Sequence, residues 1–356
     1  MPERDALIRI LDLARWAPSG DNTQPWRFEI VGDGRLAVHG HDTREWCVYD
    51  YQGRASQMAH GALLETLRIA ATEQGLHAAW TLREGCPDTA PVYDVHFEPG
   101  SLDPDPLLAF ITSRVVQRRP MRTTPLTSVQ KDMLARAVAP GYRLRVFEPL
   151  ARRWEVAKLL WQSAGIRLTC PEAYRVHREI IEWGARFSQD RIPEQAVGVD
   201  PLTAKLMQWV MQSWGRVEFF NRYLAGTIAP RVQLDLLPGL MCAAHALLIA
   251  DRPPQKLVDF VEAGRALQRL WLTASSLGLS LQPEMTPVIF RWYVQDGCSI
   301  STASAIDAVA RKMNARFDCV ADEGADARFM FFCRIGHASP PVSRSLRKDL
   351  VDLMVG

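Results

Sequence analysis

Near the start of the chain, Leu7, Ile10, Leu11 and Ala14 recur at helical spacing. They predict an amphipathic helix over 4–17 that Pro18 ends. After the polar stretch 19–25 the period changes. Trp26, Phe28 and Ile30 alternate with Arg27 and Glu29, which predicts a strand. Gly32-Asp33-Gly34 is a turn signal, and residues 35–40 are expected to return as a second strand. Residues 55–74 are apolar nearly all round (Ala59, Ala62, Leu63, Leu67, Ile69, Ala70), the pattern of a central buried helix, with Gly75 as its C-cap. Strands are expected over 76–83 and 91–97. The segment 99–106, Pro-Gly-Ser-Leu-Asp-Pro-Asp-Pro, reads as a linker. Beyond it the pattern predicts helices at 107–118 and 126–138 and a strand at 142–147. A mostly helical stretch follows over 150–230, carrying Trp154, Trp161, Trp183, Trp209 and Trp214. A buried helix at 234–250, a helix at 255–277 and short strands at 279–282 and 328–334 complete the expectation. The tail after Gly336 reads as irregular.

The chain repeats itself. Gly61–Leu76 aligns without gaps on Gly264–Leu279, an offset of 203 residues. Gly61/Gly264, Leu64/Leu267, Leu67/Leu270, Ala71/Ala274, Gly75/Gly278 and Leu76/Leu279 are identical pairs, and Ile69 faces Leu272. Each copy reads as a buried helix with an internal glycine that ends at Gly-Leu and enters a strand. A weaker echo relates 7–30 to 129–147, each running helix, Ala-Pro, loop, strand. Its offset is 122, so about 80 extra residues fall between the matched elements of the second half. The expected organisation is therefore two related halves, 1–105 and 106–356, with an insertion at about 150–230.

Composition limits the function. The 42 basic residues against 40 acidic ones leave a net charge of +2, which gives no general pull toward nucleic acid or an anionic membrane. Any anion site must be a local cluster. The seven cysteines are scattered and form no C-x-x-C pair, so neither a zinc site nor a disulfide framework is expected, and reduced thiols in a cytoplasm fit. No apolar stretch follows a basic start, so no signal peptide is expected. The apolar run 234–250 is too short and interrupted to span a bilayer. His60, His245 and His337 read as structural.

Two basic clusters stand out: Arg114, Arg118 and Arg119, and Arg344, Arg347 and Lys348. A phosphate dianion needs fixed cationic donors, and arginine supplies them in pairs. The most specific segment is Ala14–Phe28, whose pattern A-R-x-A-P-S-x-x-N-x-Q-P-W-x-F resembles the first-helix and flavin-loop signature of the FMN-dependent nitroreductase family. Residues 114–126 are similar to that family's Arg-rich opening motif, with Val116 where Ser or Thr is frequent. Residues 264–283 resemble its central helix and following strand, and 334–348 its basic C-terminal motif. The first half carries the loop without the opening motif; the second carries the opening motif and tail without the loop.

The resemblance implies an α+β nitroreductase-like fold, its two halves forming an internal pseudo-dimer with one FMN site, as in the tandem, Acg-like branch. It assigns FMN contacts to Pro18, Ser19, Asn22, Gln24, Arg114, Arg118, Arg119, Pro283, Glu284, Met285, Arg344 and Arg347, with a backbone N–H near Glu284 and Met285 aimed at flavin N5. The flavin carries the redox chemistry, so no catalytic side chain is named. The implied activity is two-electron, ping-pong reduction of a quinone-like or nitroaromatic acceptor with NAD(P)H, by a monomer. Alternatives are oxidation of an organic substrate, and a protein that sequesters flavin without turnover. The insertion, beside such a cleft, is placed to act as a lid.

Overall fold

The computed structural model describes residues 3–32 and 34–355; Asp33, the middle residue of the expected turn, lies outside the described residues. Two four-stranded antiparallel sheets, each with two helices, form the frame. In the first half the elements are α1 (Arg4–Ala14), β1 (Trp26–Gly32), β2 (Arg35–Gly40), α2 (Arg54–Thr72), β3 (Leu76–Leu82) and β4 (Val92–Pro99), with strand order β1-β2-β4-β3. In the second they are α3 (Ser128–Val138), β5 (Tyr142–Phe147), then the insertion helices α4 (Leu150–Thr169), α5 (Pro171–Ile180), α6 (Pro201–Val210) and α7 (Trp214–Tyr223). They continue with β6 (Ala244–Ala250), α8 (Leu257–Ser276), β7 (Ser280–Pro283), α9 (Thr286–Gln295), α10 (Ser304–Ala321) and β8 (Arg328–Gly336). Its sheet runs β5-β6-β8-β7, the order of the first sheet element for element.

Local sequence accounts for the shared parts. Leu7, Ile10, Leu11 and Ala14 form the buried stripe of α1. The Thr127 side chain and Gln130 close a capping box at the start of α3, satisfying two otherwise unpaired N–H groups. Gly75 and Gly278 end α2 and α8 at φ +62° and +69°, a left-handed conformation that side chains resist. Then each chain enters its strand.

The two long helices cross at the centre. A Cβ added at Gly61 would lie 1.8 Å from the Val261 carbonyl oxygen, and one at Gly264 would lie 1.9 Å from that of Met58. These contacts are mates under the same 203-residue offset. Beside the crossing, Gln268 Nε2 donates to Thr66 Oγ1 at 2.9 Å, and buried Glu65 accepts Arg68, Arg265 and Arg269 at 2.9, 3.0 and 3.4 Å.

Several expectations change. The run 234–250 is not one helix: helical turns end at Leu240, and Ala244–Ala250 is an inner strand of the second sheet. A fully buried strand is apolar at every position, and its run cannot be told from a buried helix by periodicity. With β6 placed, the interval between β5 and β6 is 148–243, longer than the 150–230 stretch, where β2 follows β1 almost at once. The insertion also carries short paired strands at Ile181–Glu182, Phe187–Ser188 and Ile192–Pro193. Residues 107–118 form only a 3-10 turn at Leu108–Phe110 and then run extended, with Gln117 N–H donating to the Leu281 carbonyl at 3.2 Å. The edge of β7 takes the backbone that a helix would have used itself. Helices α9 and α10, which the sequence pattern did not suggest, occupy the interval between β7 and β8. The tail crosses back to the first half: Val355 N–H donates to the Phe28 carbonyl at 2.7 Å and Leu353 is fully buried.

Candidate functional site

Between the halves lies a cavity of about 400 Å³, a size that suits a cofactor or small ligand. The loop between α1 and β1 forms one wall. Asp21, Asn22 and Gln24 sit there at φ 50°, 65° and 49°, a strained conformation that persists only when surroundings over-determine it. Here they do. Ser19 Oγ accepts Gln24 N–H at 3.0 Å. Gln24 Nε2 donates to the Asn22 and Gln189 carbonyls at 3.0 and 2.8 Å, and its Oε1 accepts Lys348 N–H at 2.9 Å. Loop, insertion and tail are thus tied together.

Of the twelve residues named from the sequence, the structure brings ten to this cavity: Pro18, Ser19, Asn22, Arg114, Arg118, Pro283, Glu284, Met285, Arg344 and Arg347. Gln24 is buried behind the wall as the brace just described. Arg119 is exposed and points elsewhere.

Arg114, Arg344 and Arg347 make one cationic end. Arg114 donates to the Trp16 carbonyl at 2.7 Å and stacks 4.5 Å over the Trp271 ring. Arg344 donates to the Thr112 carbonyl at 2.9 Å. Arg347 donates to the Ala17 carbonyl at 3.0 Å and to Asn22 Oδ1 at 2.8 Å. Among the described residues none of the three has a carboxylate partner, and the buried Nε atoms of Arg114 and Arg344 have no acceptor at all. Burial first, then the neighbouring Arg347 and Arg344, hold Arg114 well below the ordinary arginine value. Burial, Arg344 and Arg15 bring Arg347 down to about 9. Uncompensated buried cations are costly, a cost that a bound dianion would offset.

Beneath Pro283 lies a buried ionic network. Glu284 accepts Arg334 at 3.0 Å and His245 Nδ1 at 2.7 Å, while His245 Nε2 faces the Gly239 carbonyl at 2.8 Å. Both imidazole nitrogens face acceptors, so the ring is doubly protonated. Burial alone would lower its pKa; Cys242 and Glu284 on either side hold it up to about 10. Burial likewise opposes the Glu284 carboxylate, but His245 and Arg334 keep it below its ordinary value. Glu284 N–H is spent on the Phe332 carbonyl at 2.7 Å, so the open backbone donor at this corner is Met285 N–H, which has no protein acceptor among the described residues.

This network sets a pH dependence. His245 is raised above its unfolded value of 6.5, so the unfolded chain releases that proton first. The contribution is complete below about 6.5 and is lost as pH rises toward about 10. Glu284→Gln is expected to cost about 2 kcal/mol near neutrality, the value of a charge-assisted hydrogen bond. It should also flatten stability between pH 7 and 9, measured by urea unfolding across that range. A wild-type stability that does not fall over this range would contradict a charged His245.

Several lining residues carried no sequence signal. Tyr49, Arg167, His177 and Asp235 share a second end of the cavity, the last three supplied by the insertion. Asp21 also faces in, raised to about 6 by burial against the pull of Arg118. Arg118, which donates to the Ala196 carbonyl at 3.2 Å, is itself lowered to about 10, chiefly by burial. None belongs to a spaced motif except Asp21 and Arg118. His60 is satisfied by Pro25 and Tyr93, and His337 by Gly278.

No protein-family model matches the chain. Over 348 residues it is 25% identical to an uncharacterized protein, MT1398, of Mycobacterium tuberculosis (strain CDC 1551 / Oshkosh), covering 93% of this chain and 46% of that protein. The chain thus spans about half the length of the curated relative it matches. Among solved structures it is similar to the FMN- and NADPH-dependent nitroreductase NfnB of Sphigopyxis sp. strain HMH, with TM-score 0.38 and 16% identity over 70% of this chain and 98% of that one. It is also similar to the FMN-dependent nitroreductase NfnB of Mycobacterium smegmatis in complex with NADPH, with TM-score 0.35 and 13% identity over 68% and 94%. No helix among the described residues is long and apolar enough to cross a membrane.

Proposed function

We propose that the cavity binds one FMN and that the chain is a nitroreductase-like flavoprotein, using NAD(P)H to reduce an electron-poor acceptor in the cytoplasm. The observation that carries this reading is the three-arginine end without a carboxylate. Arg114, Arg344 and Arg347 would hold the phosphate, and the orphaned Nε atoms of Arg114 and Arg344 fit that group. Ser19 and Asn22 would meet the ribityl chain. Arg118, Pro283, Glu284 and Met285 would line the ring, with Met285 N–H as the backbone donor. When bound, FMN supplies the two-electron chemistry; the protein orients it, excludes water and fixes the charge around it. The family resemblance of residues 14–28, 114–126 and 334–348 supports the same assignment.

The halves 1–105 and 106–356 would then act as an internal dimer, and the chain as a monomer with one site. The loop 15–25, which walls the cavity, has as its counterpart only residues 139–141 between α3 and β5. That connection is too short to build a second wall. The roof contributed by the insertion favours a second reading, in which flavin is held without turnover.

The absorbance spectrum of the purified protein, with extracted chromophore quantified, tests the cofactor. About one FMN per chain is expected. Two per chain would sink the single-site reading, and a protein that stays colourless with added FMN would sink the flavin reading. NADPH oxidation with menadione then separates a reductase from a sequestering protein.

A further inference from the structure

The two ends of the cavity are chemically distinct. The arginines at the first feel other arginines: Arg347 and Arg344 at Arg114, Arg344 and Arg15 at Arg347. Tyr49 feels Arg167 and Asp21 instead. At this second end Tyr49 Oη lies 3.0 Å from His177 Nε2, with the two rings stacked 5.7 Å apart at 30°. Burial, then Arg167, push the His177 pKa down to about 3, so the imidazole is neutral. Burial, against Arg167, keeps the Tyr49 hydroxyl protonated far above its ordinary range. Arg167 pairs with Asp235 at 2.9 Å, and its buried Nε has no acceptor. Ile180, Ile181 and Ile192 add an apolar wall. A hydroxyl, a neutral ring and a half-used guanidinium beside isoleucines suit a flat apolar body with oxygen on its edge.

We propose that this end is the subsite for a quinone and that Tyr49 Oη delivers the proton a quinone takes up on two-electron reduction, with His177 resupplying it. The proposal rests on the flavin reading above and narrows its acceptor. A hydride equivalent, supplied by NAD(P)H through the bound flavin, adds an electron pair to the quinone and leaves charge on oxygen. The new O–H bond forms with the Tyr49 proton as the Tyr49 O–H bond breaks. The phenolate recovers a proton from His177 Nε2 while Nδ1 takes one from water, so the ring changes tautomer without a stable imidazolium. One hydride and one proton complete a hydroquinone. A nitro group takes up the same hydride and proton but must also expel water to reach the nitroso level, a step that a quinone does not require.

The test uses the FMN-loaded protein, Tyr49→Phe and His177→Gln, in anaerobic stopped flow. Flavin reduction by NADPH is expected to be unchanged in both variants, whereas reoxidation by menadione should slow about 100-fold in Tyr49→Phe, the usual scale of a lost general acid. A smaller slowing is expected in His177→Gln. Binding of 1-naphthol, a non-reducible phenol followed by its fluorescence, should weaken about fivefold in Tyr49→Phe, on the scale of one lost neutral hydrogen bond. Far-UV circular dichroism and FMN stoichiometry check that the variants fold. A loaded Tyr49→Phe protein that reoxidises at the wild-type rate and binds 1-naphthol normally overturns the subsite while leaving the flavin reading intact. A protein that takes up no FMN overturns the flavin reading itself and the proton step with it.

Discussion

Replacing Arg114 and Arg344 together by methionine is expected to weaken FMN binding by about 10²–10⁴-fold, at about 10–100-fold for each lost charge-assisted contact, while raising the melting temperature of the flavin-free protein. The opposite signs follow from one fact. Each guanidinium donates to a carbonyl, Trp16 or Thr112, and keeps a buried Nε with no acceptor. Without an anion, two desolvated like charges repel each other and the nearby Arg347; methionine keeps much of the stem and removes the charge. With a phosphate present, the same charges are what binds it. Arg347 is left in place because it also holds Asn22 and the Ala17 carbonyl, so its removal would disturb the loop. Isothermal titration with FMN and with riboflavin, and calorimetric melting without either, measure the three quantities. Riboflavin lacks the phosphate, so its affinity should change little. If the FMN-to-riboflavin affinity ratio is the same in variant and wild type, the arginines do not hold the phosphate.

The parts of the fold that the sequence made legible are those where local pattern and burial agree. The helix 55–74 is apolar all round because it is buried all round, and its echo at 264–279 shares the glycine because both helices approach backbone to backbone. The strand Ala244–Ala250 was not legible for the converse reason: six consecutive buried positions erase the period that separates strand from helix. Residues 107–118 carried Leu107, Leu108, Phe110 and Ile111 in a helical run, but the partner of their backbone lies more than 150 residues away at Leu281. The three-arginine end was legible because its members fall in two short basic runs, 114–119 and 344–348, of a chain that is otherwise nearly neutral. The other end was not. Tyr49, Arg167, His177 and Asp235 are far apart in sequence, and only the placing of the insertion over the cavity joins them.

Gly61→Ala should be the most destabilising single methyl in the chain, costing about 4 kcal/mol or more, the range reserved for a forced clash in a core. In an isolated helix the same change would stabilise by about 1 kcal/mol. Here the new Cβ would lie 1.8 Å from the Val261 carbonyl oxygen, and neither helix can yield locally, because the obstacle is backbone and not a side chain that could rotate. The only relief is to move α2 and α8 apart. That would stretch the Gln268–Thr66 hydrogen bond and loosen Glu65 from Arg265, the polar contacts beside the crossing. Gly264→Ala meets Met58 in the mirror-image way, at 1.9 Å, and should cost a similar amount. The double variant is the sharper test. A single separation of the helices relieves both clashes, so the pair should cost little more than either alone, a strong departure from additivity. Urea unfolding of the four proteins measures the cycle. Additive costs would mean that each glycine is accommodated by its own local distortion. A Gly61→Ala protein as stable as wild type would mean that the two halves do not meet backbone to backbone at this crossing.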